Sequence, residues 1–265
     1  MMAEVLLRPK DKIGIMLEAE VIRADNFAQK RAEEIEKLHV WQGPAKLLLG
    51  DFFDVDVRGS GPAEETTVLI EGDVTRVKRI GQGMKAGRIE IFGSAGMHLG
   101  AEMAGGSIVV HGDAGAWGGM EMKGGVLQIL GDAGDHIGSA YRGSWRGMSG
   151  GQITIGGNAR SQLGGGLVGG RIVVEGSVQN FCGIRQGGGA ILVKGSARRG
   201  AGAEMTGGAL AVLGTIEQFL PSFVEAGTEE NPKLGDLQIE GRFAKFTGDY
   251  AVSKNPKGLL YLREA

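Results

Sequence analysis

The 265-residue sequence contains one cysteine, six prolines and only 6 % aromatic residues, and each shortage excludes something. A single cysteine, Cys182, cannot build an intramolecular disulfide framework, an all-cysteine zinc site or a cysteine-ligated iron–sulfur cluster. Six prolines exclude a collagen-like chain, which needs roughly 15–20 % proline or hydroxyproline. No apolar run approaches the roughly 18 residues that span a bilayer. Residues 1–10 carry neither the apolar core nor the small-residue cleavage site of a signal peptide, so a cytoplasmic location is expected, with no membrane contact. Lys plus Arg total 29 against 31 Asp plus Glu, a net charge of −2 that offers no basic field for nucleic acid. What the chain has in excess is glycine, 50 residues, where about 7 % is ordinary. With 42 % apolar residues beside it, the composition predicts short apolar strands joined by tight turns.

The glycines are in register. Units begin at Gly87, Gly106, Gly125, Gly151, Gly170, Gly189 and Gly208, spaced by 19 except where seven extra residues precede Gly151. A second row, Gly93, Gly112, Gly131, Gly157, Gly176, Gly195 and Gly214, keeps the same phase, as does a third at Gly100, Gly119, Gly138, Gly164, Gly183 and Gly202. Between the first two rows lie alternating pairs such as Ile89/Ile91, Ile108/Val110 and Ile172/Val174, which point to one face of a strand. A polar turn residue follows the second glycine (Ser94, Asp113, Asp132, Asn158, Ser177, Ser196, Thr215), and then a small apolar one. A GXGXG-type repeat of this kind predicts an all-β fold, a parallel, right-handed β-helix solenoid in which equivalent positions stack into columns. The glycines are expected at corners where φ is positive or close backbone approach excludes a Cβ. Degenerate units at 66–86 and 235–248 bring the count to about nine coils, a rod of roughly 40 Å at about 4.8 Å per coil.

Residues 1–65 do not repeat and predict a small α+β cap over the open end of the solenoid. Short strands are expected at 5–7 and 13–15, a helix capped by Asp25 with Phe27, Ala28, Arg31, Ile35 and Leu38 on its face, and a strand over 46–57. The β-helix spans 66–250 and a tail 251–265. Chemistry is sparse. The segments Gly81-Gln82-Gly83 and Gly164-Gly165-Gly166 belong to the glycine lattice and open no long helix, unlike phosphate-binding loops. His98 and His136 share a column with Trp117 between them, about 9.6 Å apart by stacking, too far for one metal ion. Glu102 and Glu121 are stacking neighbours at about 4.8 Å, the spacing of a retaining glycosidase pair, so a carbohydrate-active β-helix is one alternative. The absent leader, the few aromatics and the turn position of both glutamates weigh against it. No catalytic, cofactor-binding or metal-ligating constellation emerges.

The glycine lattice, residues 147–159 (GMSGGQITIGGNA), and 24–27 (ADNF), 34–38 (EIEKL), Gly43 and 49–53 (LGDFF) together resemble the C subunit of formylmethanofuran dehydrogenase over essentially the whole chain. The repeat alone is shared with the C-terminal domain of the glutamate synthase large subunit, a second alternative. That alternative lacks an N-terminal cysteine nucleophile and a flavin barrel here. The resemblance implies a non-catalytic structural subunit without a cofactor of its own, in a cytoplasmic hetero-oligomer with the A, B and D subunits. It implies a parent complex of one of two kinds. The bacterial formyltransferase/hydrolase passes formyl from tetrahydromethanopterin to a methanofuran-type carrier and releases formate, with its metal, zinc, on another subunit. The archaeal dehydrogenase, with a tungsten or molybdenum pterin subunit, reduces CO₂ to formylmethanofuran. Arginine in excess of lysine and the abundance of alanine and glycine favour the bacterial complex.

Partner surfaces are expected where apolar residues point away from the core. Phe92, Val109, Leu130, Val173, Leu192 and Leu213 are read as one outward apolar sheet face, covered, if by anything internal, by the N-terminal segment. The seven-residue insertion adds Tyr141, Arg142, Trp145 and Arg146, residue types enriched at binding hot spots. The arginines are also candidates for contact with an anionic polyglutamate carrier.

Overall fold

A computed structural model of the protein describes residues 3–10 and 13–264. Residues 1, 2, 11, 12 and 265 lie outside the described residues, and with them the first residues of the expected cap and the last of the expected tail.

The alternating Ile/Val pairs form the strands that the pattern predicts. Thr66–Glu71, Arg88–Phe92, Ser107–Val110, Val126–Ile129, Gln152–Ile155, Arg171–Val174, Gly187–Val193 and Gly207–Val212 pair parallel in chain order. Their register is that of the 19-residue phase: Ile89 opposes Ile108, which opposes Leu127, Ile153, Ile172, Ile191 and Leu210 in turn. These positions and their partners two residues on, Ile91 to Val212, are all buried in one core. The protein is therefore all-β, built on a large and mainly parallel sheet of thirteen strands.

Each unit meets the next at two further places. A line of single bridges joins Val74, Ala95, Ala114, Ala133, Ala159, Val178 and Ala197. Farther along, the amides of Gly100, Gly119, Gly138, Gly164, Gly183 and Gly202 donate to a carbonyl of the preceding unit at 2.7–2.8 Å. The polar turn residues add a ladder of their own. Ser94 Oγ accepts from the Asp113 amide at 3.0 Å, Asp113 Oδ1 from Asp132 at 2.8 Å, Asp132 Oδ1 from Asn158 at 2.6 Å and Asn158 Oδ1 from Ser177 at 2.9 Å. Ser177 and Ser196 continue it to Thr215.

This ladder explains the second glycine row. None of Gly93, Gly112, Gly131, Gly157, Gly176, Gly195 and Gly214 has a positive φ. A Cβ on Gly176 would instead lie 2.6 Å from Asn158 Oδ1 and 2.7 Å from the Gly157 carbonyl oxygen. The glycine leaves room for the polar side chain of the unit before it. Positive φ falls on the third row, as at Gly119 (φ 62°), and on the unit-opening row, as at Gly125 (φ 82°). There a Cβ would also press on the backbone of the preceding unit.

At both ends the structure departs from the expected boundaries. Ala3–Pro9 is a strand that joins the sheet parallel to Thr66–Glu71, and Phe53–Arg58 closes that edge antiparallel. The second N-terminal strand is Leu17–Glu18, not 13–15, and Ile15 is exposed. The expected helix is two short ones, Ala24–Phe27 and Ala32–Glu36, separated by Gln29 at φ 62°, and Asp25 sits in the first turn, not at the cap. Phe27, Ile35, Leu49 and Phe53 nonetheless complete the same core as the repeats. Between them the expected 46–57 strand divides into Ala45–Leu48, a 3-10 turn at Leu49–Asp51, and Phe53–Arg58.

The larger departure is at the C-terminal end. Residues 235–248 are not a coil: Lys233–Leu234 and Leu237–Gln238 form a small antiparallel hairpin, and Arg242–Gly248 pairs antiparallel on both sides. The strand that continues the parallel sheet after Gly207–Val212 is Gly258–Arg263, inside the expected tail. Leu260 stands in register with Leu210 and is buried, so the apolar pattern of 259–262 fills the place that Leu237 and Ile239 were expected to take.

Candidate functional site

The expected outward face is not one surface. Val109, Val173 and Leu192 share a register row with Glu90, Gln128 and Thr154, whereas Phe92, Leu130 and Leu213 share theirs with His111, Glu175 and Lys194. Polar residues thus interrupt both rows. The C-terminal segment, not the N-terminal one, covers the last units: Leu192 (5 % exposed) is buried with Leu234, Ile239, Phe243 and Tyr261, and Val173 and Leu213 pack against that cluster. What stays open is Phe92 (45 % exposed) and Leu130 (43 %), with Val109 half-buried. Phe92 stacks on His111 with ring centroids 4.7 Å apart, and His111 Nε2 lies 2.8 Å from Glu90 Oε1. The His111 hydrogen bond, with Arg88 assisting, holds the Glu90 carboxyl below the usual range despite partial burial.

The loop that holds the seven inserted residues, 139–150, leaves the stack of units without regular secondary structure but with a defined anchorage. The Ala140 amide donates to the Gly165 carbonyl and the Gly147 amide to that of Gly166, each at 2.8 Å. The Tyr141 amide donates to Glu121 Oε1 at 3.0 Å. The loop returns to phase at Met148, which is fully buried. Beneath it runs the histidine–tryptophan column, now seen as a ladder of parallel rings. His98 and Trp117 lie 6.1 Å apart, Trp117 and His136 4.0 Å, and Tyr141 meets the Trp117 ring edge-on at 6.1 Å. Burial, with the Arg79 and Lys78 charges adding, lowers the pKa of His98; burial likewise lowers that of His136. Trp145, 77 % exposed, carries the Arg185 guanidinium 5.6 Å from its ring, and Arg185 Nε donates to Glu204 Oε2 at 2.8 Å. Loop and ladder enclose a cleft of about 180 Å³ lined by Trp117, His136, Tyr141, Trp145, Gln162 and Arg185.

Glu102 and Glu121 each have a local structural partner. Glu102 accepts from Gln82 Nε2 at 3.1 Å, and Glu121 holds the loop. Among the described residues no group of three or more His, Cys, Asp or Glu side chains is placed to hold a metal ion. Cys182 is fully enclosed in the core, where burial pushes its thiol up to about 12. A thiol-specific chromophoric reagent at pH 8 is therefore expected to leave the native chain unmodified and to titrate one thiol after denaturation; prompt reaction of the native protein would contradict this burial.

Gln186 is a core residue that the sequence pattern did not single out. Gln186 stands 19 residues after Leu167 in the column Met84, Met103, Met122, Met148 and Leu167, and it is wholly buried. Its Nε2 donates to the carbonyls of Gly188, Gly189 and Ala209 at 3.0–3.2 Å. The period alone points to this position, as it does to Met148 once the seven inserted residues are counted.

The architecture defines an all-β protein of in-register glycine repeats carrying one anchored, arginine- and tryptophan-bearing loop. No family model matches the chain. It is 72 % identical over 261 residues to the C subunit of the molybdenum-containing formylmethanofuran dehydrogenase 1 of Methanosarcina barkeri, covering 98 % of this chain and 87 % of that one. It is 43 % identical over 100 residues to the C subunit of the tungsten-containing formylmethanofuran dehydrogenase 2 of Methanothermobacter wolfeii, covering 38 % of this chain and 37 % of that one. A chain in the crystal structure of the formyltransferase/hydrolase complex (FhcABCD) from Methylorubrum extorquens, in complex with methylofuran, superposes with a TM-score of 0.86 at 29 % identity, covering 98 % of this chain and all of that one. The chain belongs to the family of formylmethanofuran dehydrogenase C subunits.

Proposed function

We propose that this chain is the structural, non-catalytic subunit of a cytoplasmic formylmethanofuran dehydrogenase-type complex, and that its stacked units close into a right-handed β-helix. Three lines of contact per 19-residue unit support the solenoid: a strand, a bridge and a glycine amide, each repeated from unit to unit. The observation that carries the function is the 72 % identity to the C subunit of a dehydrogenase over nearly the full chain. Against 29 % to the chain of the bacterial complex, it favours the dehydrogenase, of the two parent complexes, as the one that this chain serves. In this reading catalytic subunits, and any metal and carrier they use, lie outside the chain, and the solenoid fixes the spacing between them.

Co-expression of the chain with the remaining subunits of its complex tests this. Stoichiometric copurification is expected, with formyl turnover in the assembled complex and none by the isolated chain. Turnover by the isolated chain, or failure to copurify, contradicts the proposal. Elemental analysis of the purified complex separates the parents: molybdenum or tungsten fits the dehydrogenase, zinc alone the formyltransferase/hydrolase.

A further inference from the structure

The arginines of the insertion differ from most other arginines of the chain. Arg8, Arg58, Arg88, Arg171, Arg185, Arg198 and Arg242, among others, are paired with carboxylates. Among the described residues, the guanidinium groups of Arg142, Arg146, Arg160 and Arg199 make neither an ion pair nor a hydrogen bond. Two of the four flank Trp145 on the loop. A third, Arg199, lies over the Phe181 ring at 5.6 Å, and Phe181 stands in the column of His136 two units on, with Gln162 between them. The neighbouring acids are already engaged. Glu121 holds the Tyr141 amide, Asp135 Oδ1 accepts from the Ser161 amide at 2.9 Å, and Glu204 is paired with Arg185. The loop thus presents two guanidinium groups free of ion pairs and side-chain hydrogen bonds beside an exposed indole, on a chain whose net charge is −2. The backbone anchors at Ala140, Tyr141 and Gly147 hold it in place before any partner arrives, so little ordering entropy opposes binding.

We infer that residues 139–150, with Arg199 and the adjoining ring row, form the docking site for an acidic, extended segment of another protein subunit. Carboxylates of that segment meet Arg142, Arg146 and Arg199, and an apolar side chain rests on Trp145 at the mouth of the cleft. Guanidinium–carboxylate pairing is forked and charge-assisted, which suits arginine over lysine at such a site, and tryptophan and arginine are the residue types that dominate binding hot spots. This inference rests on the reading of the chain as one member of a multisubunit complex.

The test uses the complex reconstituted from co-expressed subunits. The double charge reversal Arg142→Glu/Arg146→Glu and, separately, Trp145→Ala are compared with Lys37→Glu/Lys46→Glu, an exposed control with the same change in net charge as the arginine reversal. All variants are made in the full chain, whose β-sheet circular dichroism is expected to stay unchanged. Each loop variant is expected to weaken assembly by about thirtyfold or more, the scale of a hot spot. The charge reversal also flattens the salt dependence of dissociation, and the lysine control assembles as the wild type does. Three outcomes overturn the site: loop variants that assemble normally, equal weakening by the lysine control, or loss of bound nucleic acid in place of a subunit. If the wild-type chain fails to assemble at all, it is the reading as a member of a complex that falls.

Discussion

Gly176→Val is expected to lower the melting temperature by roughly 10 °C, the equivalent of about 3–5 kcal/mol at some 2–4 °C per kcal/mol. The position is not strained in φ, so the cost arises from space alone. The new Cβ would lie 2.6 Å from Asn158 Oδ1, which accepts from the Ser177 amide, and 2.9 Å from the Gly157 carbonyl carbon, whose oxygen accepts from the Gly176 amide. To admit it, two units must move apart, losing the Asn158–Ser177 rung and loosening the bridge between Ala159 and Val178. Gly143→Ala is the contrasting substitution. Gly143 has φ 86° but open space around its Cβ, so only the conformational cost of about 1 kcal/mol applies. Thermal melts of both variants by circular dichroism decide the matter. Equal stability of Gly176→Val and the wild type would refute the close-approach account.

Leu192→Glu is expected to destabilise the chain itself by about 3 kcal/mol or more, and to do so by unseating the C-terminal segment. Leu192 is buried in a second core with Leu234, Ile239, Phe243 and Tyr261. A carboxylate placed there has no cationic partner among these neighbours, and an unpaired buried charge is among the largest single-residue penalties. Limited proteolysis is expected to cut first between 213 and 258, where the chain leaves the repeat stack and returns to it. Wild-type protease resistance and melting would show that the hairpins do not rest on Leu192. On the sequence pattern alone this residue belongs to a partner surface, and its substitution would have affected assembly and not folding.

That difference marks where local pattern stops being informative. The repeat was legible because each unit makes the same contacts as the last, so Ile89, Ile108 and Leu127 announce one another at fixed spacing. Met148 and Gln186 lay within reach of the same phase. The cover over Leu192 was not, because it is built once, from residues 233–263, with no periodicity to betray which face they would meet. The choice of 258–263 over 235–241 as the next strand likewise depends on competition between two short apolar runs, settled by packing and not by spacing. At the site, the pattern identified the loop residues Tyr141, Arg142, Trp145 and Arg146 and the ring column. It could not say that Glu121 anchors the loop, because that contact joins positions 20 apart across an interruption of the period.

The antiparallel strands at both margins of the large sheet have a consequence for how many repeats the sheet can contain. A stack of identical parallel units presents, at each end, the template for another unit of the same kind. Here Phe53–Arg58 reverses direction at one margin; at the other Arg242–Gly248 reverses it and the outermost strand, Val224–Glu230, turns back to the direction of the repeats. The outer strands carry charge, Asp54, Asp56 and Arg58 on one side, Glu225, Glu229 and Glu230 on the other. A second copy meets reversed polarity at the first margin and a charged fringe at both, which disfavours repeats running on from chain to chain. The number of units is then set within one polypeptide and does not change with its concentration.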